Sequence, residues 1–401
     1  MSKLLAQHGP AKGSKIIDSI DAGNLAGAIF SLNDERFESI QKYINSNEQL
    51  NENNSFLDPQ FYYSTLTEST QKKLSEIDCY PENVTRRDWR NKERKIIDYI
   101  DHHATNSKLI SNVLITPGFY INNIDWHFDY SIEIYNYCIN QYTFKNYALS
   151  LLIQSSFFNN RQNVEEMLEE LVDLCDQPDY IYLTICYEGN TENNYEDIDS
   201  NCLSNIFSFI YQLKKQGFKF IIGYSFMNSI LFSMLQCEFI ASGWFNTLRK
   251  FQKSKFETTD TFGRRKKRYT SIPLLSNIMF VDINNMVDSG KISKEDILSN
   301  TSYDNIFLID EDMLSFVDLE HQYWESLHNI FSILNDYELL SDRIVFVQEL
   351  IKKAQGIFRD VCEELNSKDE QESLRRIKSV SKHLLSWQVA IDLFKKNEMI
   401  I

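Results

Sequence analysis

Short apolar runs that stop at a polar or small residue recur through the first 245 residues of the chain, each followed by a helical stretch. Apolar runs of this length indicate strands that are buried on both faces, as in a parallel sheet. Eight such strands are the number that closes a (β/α)8 barrel. The runs are 3–9, 26–32, 55–60, 112–118, 148–154, 180–186, 219–224 and 238–243. We therefore predict an α/β fold, a (β/α)8 TIM-type barrel over residues 1–315.

Helical periodicity between the runs supports this alternation. Residues 163–174 place Val164, Met167 and Leu171 on one face, with glutamates opposite. Residues 203–217 end in two lysines and a glycine, which is typical of a helix C-terminus. Residues 34–46 predict a helix with Asp34 as its N-cap.

Two parts of the chain exceed what a simple barrel needs. Residues 61–108, between the third and fourth runs, are longer than one crossover helix requires and predict a helical insertion after strand 3. Residues 316–401 contain long amphipathic patterns and predict a C-terminal α-helical appendage, packed on the barrel or forming a dimer interface.

A doubly wound open sheet is the alternative fold. It would carry a glycine-rich phosphate loop after the first strand. The corresponding residues 8–15 contain Gly9 and Gly13 but neither GxGxxG nor GxxxxGK[ST]. The barrel is the preferred interpretation, and a nicotinamide cofactor is disfavoured.

Composition and charge narrow the class of protein. Of 401 residues, 43% are hydrophobic and 13% aromatic, which predicts a folded chain with a large core. The N-terminus lacks the apolar region of a signal peptide, the longest apolar stretch (220–235) is interrupted by polar residues, and the seven cysteines form no CxxC pair. These features predict a cytoplasmic protein that does not bind a membrane.

The net charge of −16 disfavours broad nucleic-acid binding, although residues 249–268 are strongly basic.

Polar residues at the ends of the predicted strands suggest a catalytic site, because these ends meet at one mouth of a barrel. The candidate catalytic residues are Asp34, Asp58, Glu188 and His8. Neighbouring carboxylates drive each other's pKa apart, so that one serves as acid and another as base or nucleophile. Each also has a structural explanation: a helix cap for Asp34, a turn before proline for Asp58, a solvent-exposed loop for Glu188 and a backbone hydrogen bond for His8.

The last two predicted strands suggest an anion site. Barrels often bind phosphate at the loops after strands seven and eight, where small residues admit the ligand to backbone N–H groups. The candidate anion-binding residues are Gly223, Ser225, Ser242, Gly243, Arg249, Arg264, Arg265 and Arg268. The alternative is that the basic stretch is a solvated surface or a docking patch.

Residues 100–106 (IDHHATN) resemble the DHH signature of the DHH phosphoesterases, in which Asp and two His hold a metal pair. The family's upstream histidine and aspartate motif has no counterpart here, so Asp101, His102 and His103 are interpreted as the end of the inserted helix. Asp125, His127 and Asp129 would ligate a metal only on an extended backbone, whereas the following residues look helical. We predict no cofactor, with a divalent metal as an open alternative.

Two functions are compatible with these patterns. The first is a hydrolase or transferase that acts on a phosphate-bearing substrate such as a nucleotide, a sugar phosphate or a nucleic-acid end, by analogy of fold with the tRNA-guanine transglycosylases, although their clustered zinc ligands are missing. The second is a non-catalytic or regulatory barrel subunit of a multiprotein assembly, with the basic loop and residues 316–401 as contact surfaces for a homo-oligomer or a protein complex.

Overall fold

Parallel strands around a central core define the fold in a computed structural model, which describes residues 1–65, 73–187, 197–252, 266–308, 311–368 and 370–400. Eight strands run side by side in the order β3-β2-β1-β9-β8-β7-β6-β4, and the short β5 extends the sheet beside the end of β6. The strands are β1 (Lys3–Gln7), β2 (Gly27–Ser31), β3 (Ser55–Asp58), β4 (Val113–Ile115), β5 (Tyr120–Ile121), β6 (Asn146–Gln154), β7 (Tyr180–Cys186), β8 (Lys219–Gly223) and β9 (Phe239–Ser242).

The prediction of eight parallel strands is confirmed, since each of the eight apolar runs covers all or most of one barrel strand. The barrel is nearly closed. Between β3 and β4, Asn112 N–H donates to Glu52 O (2.7 Å) and Asn112 Nδ2 donates to Asn53 Oδ1 (3.0 Å), which joins the two edges below the strands. Two features were not predicted: β5, and an antiparallel hairpin of β10 (Arg268–Ser271) and β11 (Ser276–Met279).

Helices follow most of the strands along the chain. They are α1 (Lys15–Asp21), α2 (Phe37–Asn45), α3 (Arg86–Arg90), α4 (Arg94–Lys108), α5 (Trp126–Gln141), α6 (Arg161–Val172), α7 (Ser200–Lys215), α8 (Ser229–Met234), α9 (Phe280–Asp288), α10 (Phe316–Asp336), α11 (Leu340–Ser367), α12 (Gln371–Ser381) and α13 (His383–Asn397). As predicted, α7 ends in two lysines, and Gly217 then adopts a positive φ of 97°.

Two helix boundaries differ from the predictions. The helix predicted over 34–46 begins only at Phe37, after Arg36 in extended backbone, so Asp34 is not its N-cap. Residues 101–103 do not end their helix, because α4 continues to Lys108. The carboxylate of Asp125, by contrast, accepts a hydrogen bond from His127 N–H and caps α5.

The C-terminal helices pack on the barrel and on one another. Helix α10 contacts β1, α1 and α8, so it covers the outside of the barrel beside the first strand. Helix α11 packs against α8, α12 and α13, and α13 packs along α7. No helix in the described residues is long and apolar enough to cross a membrane.

Strand alternation determines which side chains point into the barrel. Successive residues of a strand face opposite sides, so every second residue faces the interior. A small buried cluster fills that interior and is separate from the main core between strands and helices. Its members are Leu5, Ile29, Phe56, Val113, Ile115, Ala148, Tyr182, Ile221 and Ala241.

Candidate functional site

Polar side chains form the layer above this apolar interior, at the carboxyl ends of the strands. Gln7, Ser31 and Asp58 each lie two residues beyond an interior apolar residue, so the same alternation turns them inward. All three are completely buried. The carboxyl end of the barrel therefore encloses a polar layer, which is the position of active sites in (β/α)8 enzymes.

Asp58 lies at the centre of this layer and accepts hydrogen bonds from at least three donors. The backbone N–H of Gln60 donates to Oδ1 (3.0 Å), and the hydroxyls of Tyr62 (3.2 Å) and Tyr182 (3.0 Å) both donate to Oδ2. Donors that converge on a carboxylate stabilise its charged form. We call Asp58, Gln60, Tyr62, Tyr182 and Tyr224 the mouth cluster.

Burial keeps the phenols of the mouth cluster protonated. Removal from water raises the pKa of Tyr62, Tyr182 and Tyr224 well above the usual value, and the negative charge of Asp58 raises it further. The phenols therefore act as hydrogen-bond donors over the physiological pH range. Three more buried tyrosines, Tyr63, Tyr80 and Tyr99, share this shift and its cause.

Two members of the mouth cluster have left-handed backbone conformations. Gln60 has φ of 49° and Tyr224 has φ of 52°, values that are costly for residues with a side chain. Gln60 is held by its own contacts: its Nε2 donates to Ser31 Oγ (2.7 Å), and its carbonyl accepts from the Tyr80 hydroxyl (2.8 Å). Such strained residues concentrate at functional sites, where surrounding contacts maintain them.

A chain of hydrogen bonds connects Asp58 to Asp34 and His8. Gln60 links Asp58 to Ser31, and the Ser31 hydroxyl donates to Asp34 Oδ2 (2.8 Å). The Ser31 N–H donates to His8 Nδ1 (3.4 Å). Three of the four predicted catalytic residues, His8, Asp34 and Asp58, are thus brought together around Ser31.

His8 forms a second charged group with Glu35 and Lys12. Because Nδ1 accepts from Ser31, the ring proton lies on Nε2, which donates to Glu35 Oε2 (3.1 Å). Lys12 binds the same carboxylate oxygen. The hydrogen bond from His8 lowers the pKa of Glu35 to about 2, with Lys12 adding to the effect and burial opposing it. Glu35 also lines a surface cavity of about 570 Å³.

Two buried amides in the polar layer have atoms without a hydrogen-bond partner among the described residues. The atoms without a partner are Oδ1 and Nδ2 of Asn33 and Nε2 of Gln7. Asn33 is nevertheless fixed, because its N–H donates to Gln60 Oε1 (2.8 Å). Buried amide groups normally find partners, so these atoms are available for polar groups of a ligand.

A basic cavity of about 440 Å³ lies outside the mouth, between the end of β9, the hairpin and the start of α10. Among the described residues, its cationic lining residues are Arg249, Lys266 and Arg268, and its one acidic lining residue is Glu320, which pairs with Lys15 (3.1 Å). The other lining residues are Trp244, Phe245, Asn246, Thr247, Asn277, Phe316 and Leu319. The surplus of positive charge and the N-terminus of α10 both favour an anion.

The segment 249–251 joins the basic cavity to the mouth cluster. Arg249 is buried, donates to Gly243 O (2.9 Å) and lies over the Tyr323 ring, 3.6 Å from its centre. Two residues later, Phe251 packs on Tyr62 with ring centres 5.2 Å apart and on Tyr224 at 5.4 Å. Arg249, which lines the cavity, is therefore only two residues from Phe251, whose ring packs on the mouth cluster.

The predicted small residues of the anion site do not gather around that cavity. Ser225 N–H and its hydroxyl both donate to Ala241 O, and the Ser242 hydroxyl is bound to Ser225 O and to Tyr323 on α10. A Cβ on Gly243 would overlap the side chain of Leu248. At Gly223 it would lie 2.6 Å from Thr184 Oγ1 and 2.9 Å from the Tyr182 hydroxyl. These glycines make room for neighbouring side chains.

Some of the predicted site residues lie outside the described residues, namely Glu188, Arg264 and Arg265. Within the described ranges, no three His, Cys, Asp or Glu side chains are grouped as a metal site would require. His103 is fully buried in α4, where its Nε2–H donates to Ile115 O (2.8 Å).

The sequence analysis did not predict Tyr62, Tyr182 or Glu35 as site residues. Tyr62 lies four residues after the end of β3, in the triplet Phe61–Tyr62–Tyr63, and Tyr182 occupies an inward position of β7. A polar hydroxyl at an inward position of a predicted barrel strand was the available signal. Glu35 gave no signal, since its role depends on His8, 27 residues away.

Comparisons with protein-family models, with curated proteins and with solved structures give no match for this chain. Its function is therefore inferred from the chemistry of the site alone.

Proposed function

We propose that the protein is a TIM-type barrel enzyme, a hydrolase or transferase, that acts on a phosphate-bearing substrate at the carboxyl ends of its strands. The observation that carries the proposal is the completely buried Asp58, which accepts hydrogen bonds from Tyr62 and Tyr182 in the mouth cluster. A buried carboxylate among protonated phenols, next to strained backbone, is an arrangement suited to acid, base or nucleophilic work.

In this proposal each group has a separate role. Asp58 is the acid, base or nucleophile, and the phenols of Tyr62 and Tyr182 stabilise its charge by donating hydrogen bonds. Glu35, which is partly exposed, binds Nε2 of His8 and orients the imidazole. Asp34 contributes through Ser31, and Glu188 stays a predicted fourth member.

The phosphate of the substrate binds in the basic cavity with Arg249, Lys266 and Arg268. Arg264 and Arg265 lie outside the described residues and stay predicted members of the anion site. A cavity of about 440 Å³ exceeds the needs of a phosphate alone and falls in the range of small-molecule sites. Phe251 covers the mouth cluster, so a substrate reaching Asp58 displaces this ring. In the same proposal residues 61–108 are the insertion after strand 3, and its first helical turn supplies Tyr62.

A thermal-shift screen with inorganic phosphate, sugar phosphates, nucleotides and divalent metals tests the anion site. A ligand that binds only the folded protein raises the melting temperature by mass action, by an amount that grows with concentration above Kd. We expect a rise with phosphate-bearing compounds that is lost in Lys266→Ala/Arg268→Ala. The control Lys352→Ala/Lys353→Ala removes the same charge from the exposed side of α11 and retains the rise.

The second candidate function is that of a subunit in an assembly. Leu385 and Val389 are one helical turn apart on α13 and are 67% and 39% exposed, which makes a small apolar strip on the C-terminal helices. Under this proposal Leu385→Ser/Val389→Ser abolishes self-association or partner capture, measured by sedimentation, while no phosphate compound stabilises the protein.

A further inference from the structure

A strongly basic segment lies beside the mouth, apart from the basic cavity. Six cationic side chains within residues 86–95 are exposed, which we call the basic rim: Arg86, Arg87, Arg90, Lys92, Arg94 and Lys95. Lys92 pairs with Glu133 (3.5 Å) and Arg94 with Asp98 (3.4 Å). The other four have no ion pair with a described residue, so their charge is available to a ligand.

Hydrogen bonds fix this segment at the mouth. Val84 N–H donates to Ser64 O (2.8 Å), immediately before the basic rim, and Ser64 belongs to the turn that carries Tyr62. The Tyr80 hydroxyl donates to the carbonyl of Gln60 in the mouth cluster. The basic rim therefore lies above the carboxyl end of β3.

The basic rim and the basic cavity are on nearly opposite sides of the barrel mouth. In the strand order, β3 and β4 flank the basic rim and β9 leads to the basic cavity. Three strand steps separate β3 from β9 in one direction, and four separate β4 from β9 in the other. An anionic chain that touches both surfaces passes over the barrel mouth, above the buried mouth cluster.

Aromatic rings lie next to the basic rim. Trp126, at the start of α5, is half-buried and stacks on His127 with ring centres 3.8 Å apart. Trp126 also packs on Tyr130 (ring centres 5.6 Å apart), which packs on Trp89 of α3 (6.2 Å). Tyr130 and Trp89 are buried, so Trp126 and His127 are the rings of this group that a base reaches. Cations interleaved with aromatic rings are the combination that binds single-stranded nucleic acid, where phosphates meet Lys and Arg and bases stack on rings.

We infer that the phosphate-bearing substrate is a single-stranded nucleic acid, which lies across the mouth from the basic rim to the basic cavity. This inference rests on the proposed function and names its substrate class. The net charge of −16 opposes broad binding of a polyanion, so an anionic strand is confined to the two basic surfaces beside the mouth. An acidic peptide would use the same charges but would gain nothing from the stacked rings.

Fluorescence anisotropy with a labelled single-stranded oligonucleotide of mixed sequence, in RNA and DNA form, tests the inference. We expect binding that weakens with salt, with a log–log slope of about −0.7 for each neutralised phosphate. The variant Arg86→Ala/Arg87→Ala/Arg90→Ala/Lys95→Ala should bind at least tenfold more weakly at low salt, with a slope shallower by roughly 2 to 3. The matched control Lys352→Ala/Lys353→Ala/Arg359→Ala/Lys396→Ala removes as many charges elsewhere and should bind as the wild type does.

A second variant tests whether bases stack on Trp126. Trp126→Leu should weaken binding of the oligonucleotide about fivefold or more, but leave binding of an abasic strand of equal length unchanged. Equal affinity for polyglutamate and for the oligonucleotide would overturn the inference in favour of an acidic protein partner. So would an unchanged salt slope in the variant of the basic rim.

The two proposals fail in different ways. If no oligonucleotide binds while sugar phosphates still stabilise the protein through Lys266 and Arg268, the strand inference is wrong and the enzyme proposal stands. If the oligonucleotide binds through the basic rim but Asp58→Asn alters no reaction of any phosphate compound, the proposed function is wrong.

Discussion

The hydroxyl of Tyr182, in the seventh strand of the chain, donates a 3.0 Å hydrogen bond to Oδ2 of Asp58, which lies 124 positions earlier at the end of β3. Both groups are completely buried. The bond crosses the barrel interior and joins strands that are five steps apart in the strand order. It is the contact through which the far wall of the barrel positions the proposed catalytic carboxylate.

A double-mutant cycle measures this contact. Tyr182→Phe should lower the free energy of unfolding by about 1–3 kcal/mol, because a buried carboxylate loses a donor. In the Asp58→Ala background the same change should cost less by about 1 kcal/mol or more, because the acceptor is already gone. Urea unfolding gives both values. Tyr269→Phe, whose hydroxyl bonds Asp304 on the hairpin side, should be additive with Asp58→Ala.

Gly223→Ala should disturb the mouth cluster through Tyr182. The new Cβ would lie 2.9 Å from the Tyr182 hydroxyl, inside van der Waals contact, so we expect a loss of about 1–3 kcal/mol of stability. In the Tyr182→Phe background the hydroxyl is gone, so Gly223→Ala should cost less stability there than it does in the wild type. Gly356→Ala is the control: nothing lies within 4 Å of its Cβ position in α11, and it should stabilise the protein by about 0.5–1 kcal/mol. A Gly223→Ala protein as stable as the wild type would contradict the packing described.

Glu35 should contribute stability that disappears in acid. Its pKa is about 2 in the folded protein, against 4.5 for an unperturbed glutamate, so the unfolded chain takes up the proton first as the pH falls. The contribution is fully present above pH 4.5 and is lost as the pH falls toward 2. Glu35→Gln should therefore cost on the order of 2 kcal/mol at pH 7, allowing for solvent screening of a partly exposed group. The gap to the wild type should close below pH 4.5. The control is Glu38→Gln, which changes an exposed carboxylate in the first turn of α2 and should alter the stability little.

Two buried histidines should produce a separate loss of stability at mildly acidic pH. Burial lowers the pKa of His103 and of His383 to about 4, and their Nε2–H groups donate to the carbonyls of Ile115 and Leu275. The unfolded chain binds these protons near pH 6.5, so stability falls as the pH drops from 6.5 to 4. Replacing one of these histidines with Gln should reduce that slope by about 1.4 kcal/mol per pH unit. An unchanged slope in both single variants would contradict the buried, neutral state of these rings.

Strand periodicity was sufficient to predict the barrel strands and the ends at which polar residues meet. The eight apolar runs correspond to barrel strands, and His8, Asp34 and Asp58 are candidates because they follow or end those runs. Their convergence around Ser31 is a consequence of parallel pairing, since Ser31 and Asp58 are register partners on neighbouring strands. The alternation of residues along each strand is therefore enough to predict which residues of neighbouring parallel strands lie side by side.

Contacts between distant segments could not be predicted in this way. In the sequence, Tyr182 is one more residue of an apolar run, and only the closure of the barrel turns its hydroxyl toward Asp58. The basic stretch 249–268 looks uniform, yet Arg249 is buried on Tyr323 while Arg268 lies on the hairpin. The packing of α10 on β1 likewise depends on the path of the chain between β9 and α10. The division of the chain at residue 316 stays a prediction.

The most direct test of the central claim is the turnover of the phosphate-bearing compound that stabilises the protein best, compared between the wild type and Asp58→Asn. We predict that the variant still binds the compound, with the same thermal shift, and that its turnover falls a hundredfold or more. Turnover by Asp58→Asn at the wild-type rate would contradict the assignment of Asp58 as the catalytic group.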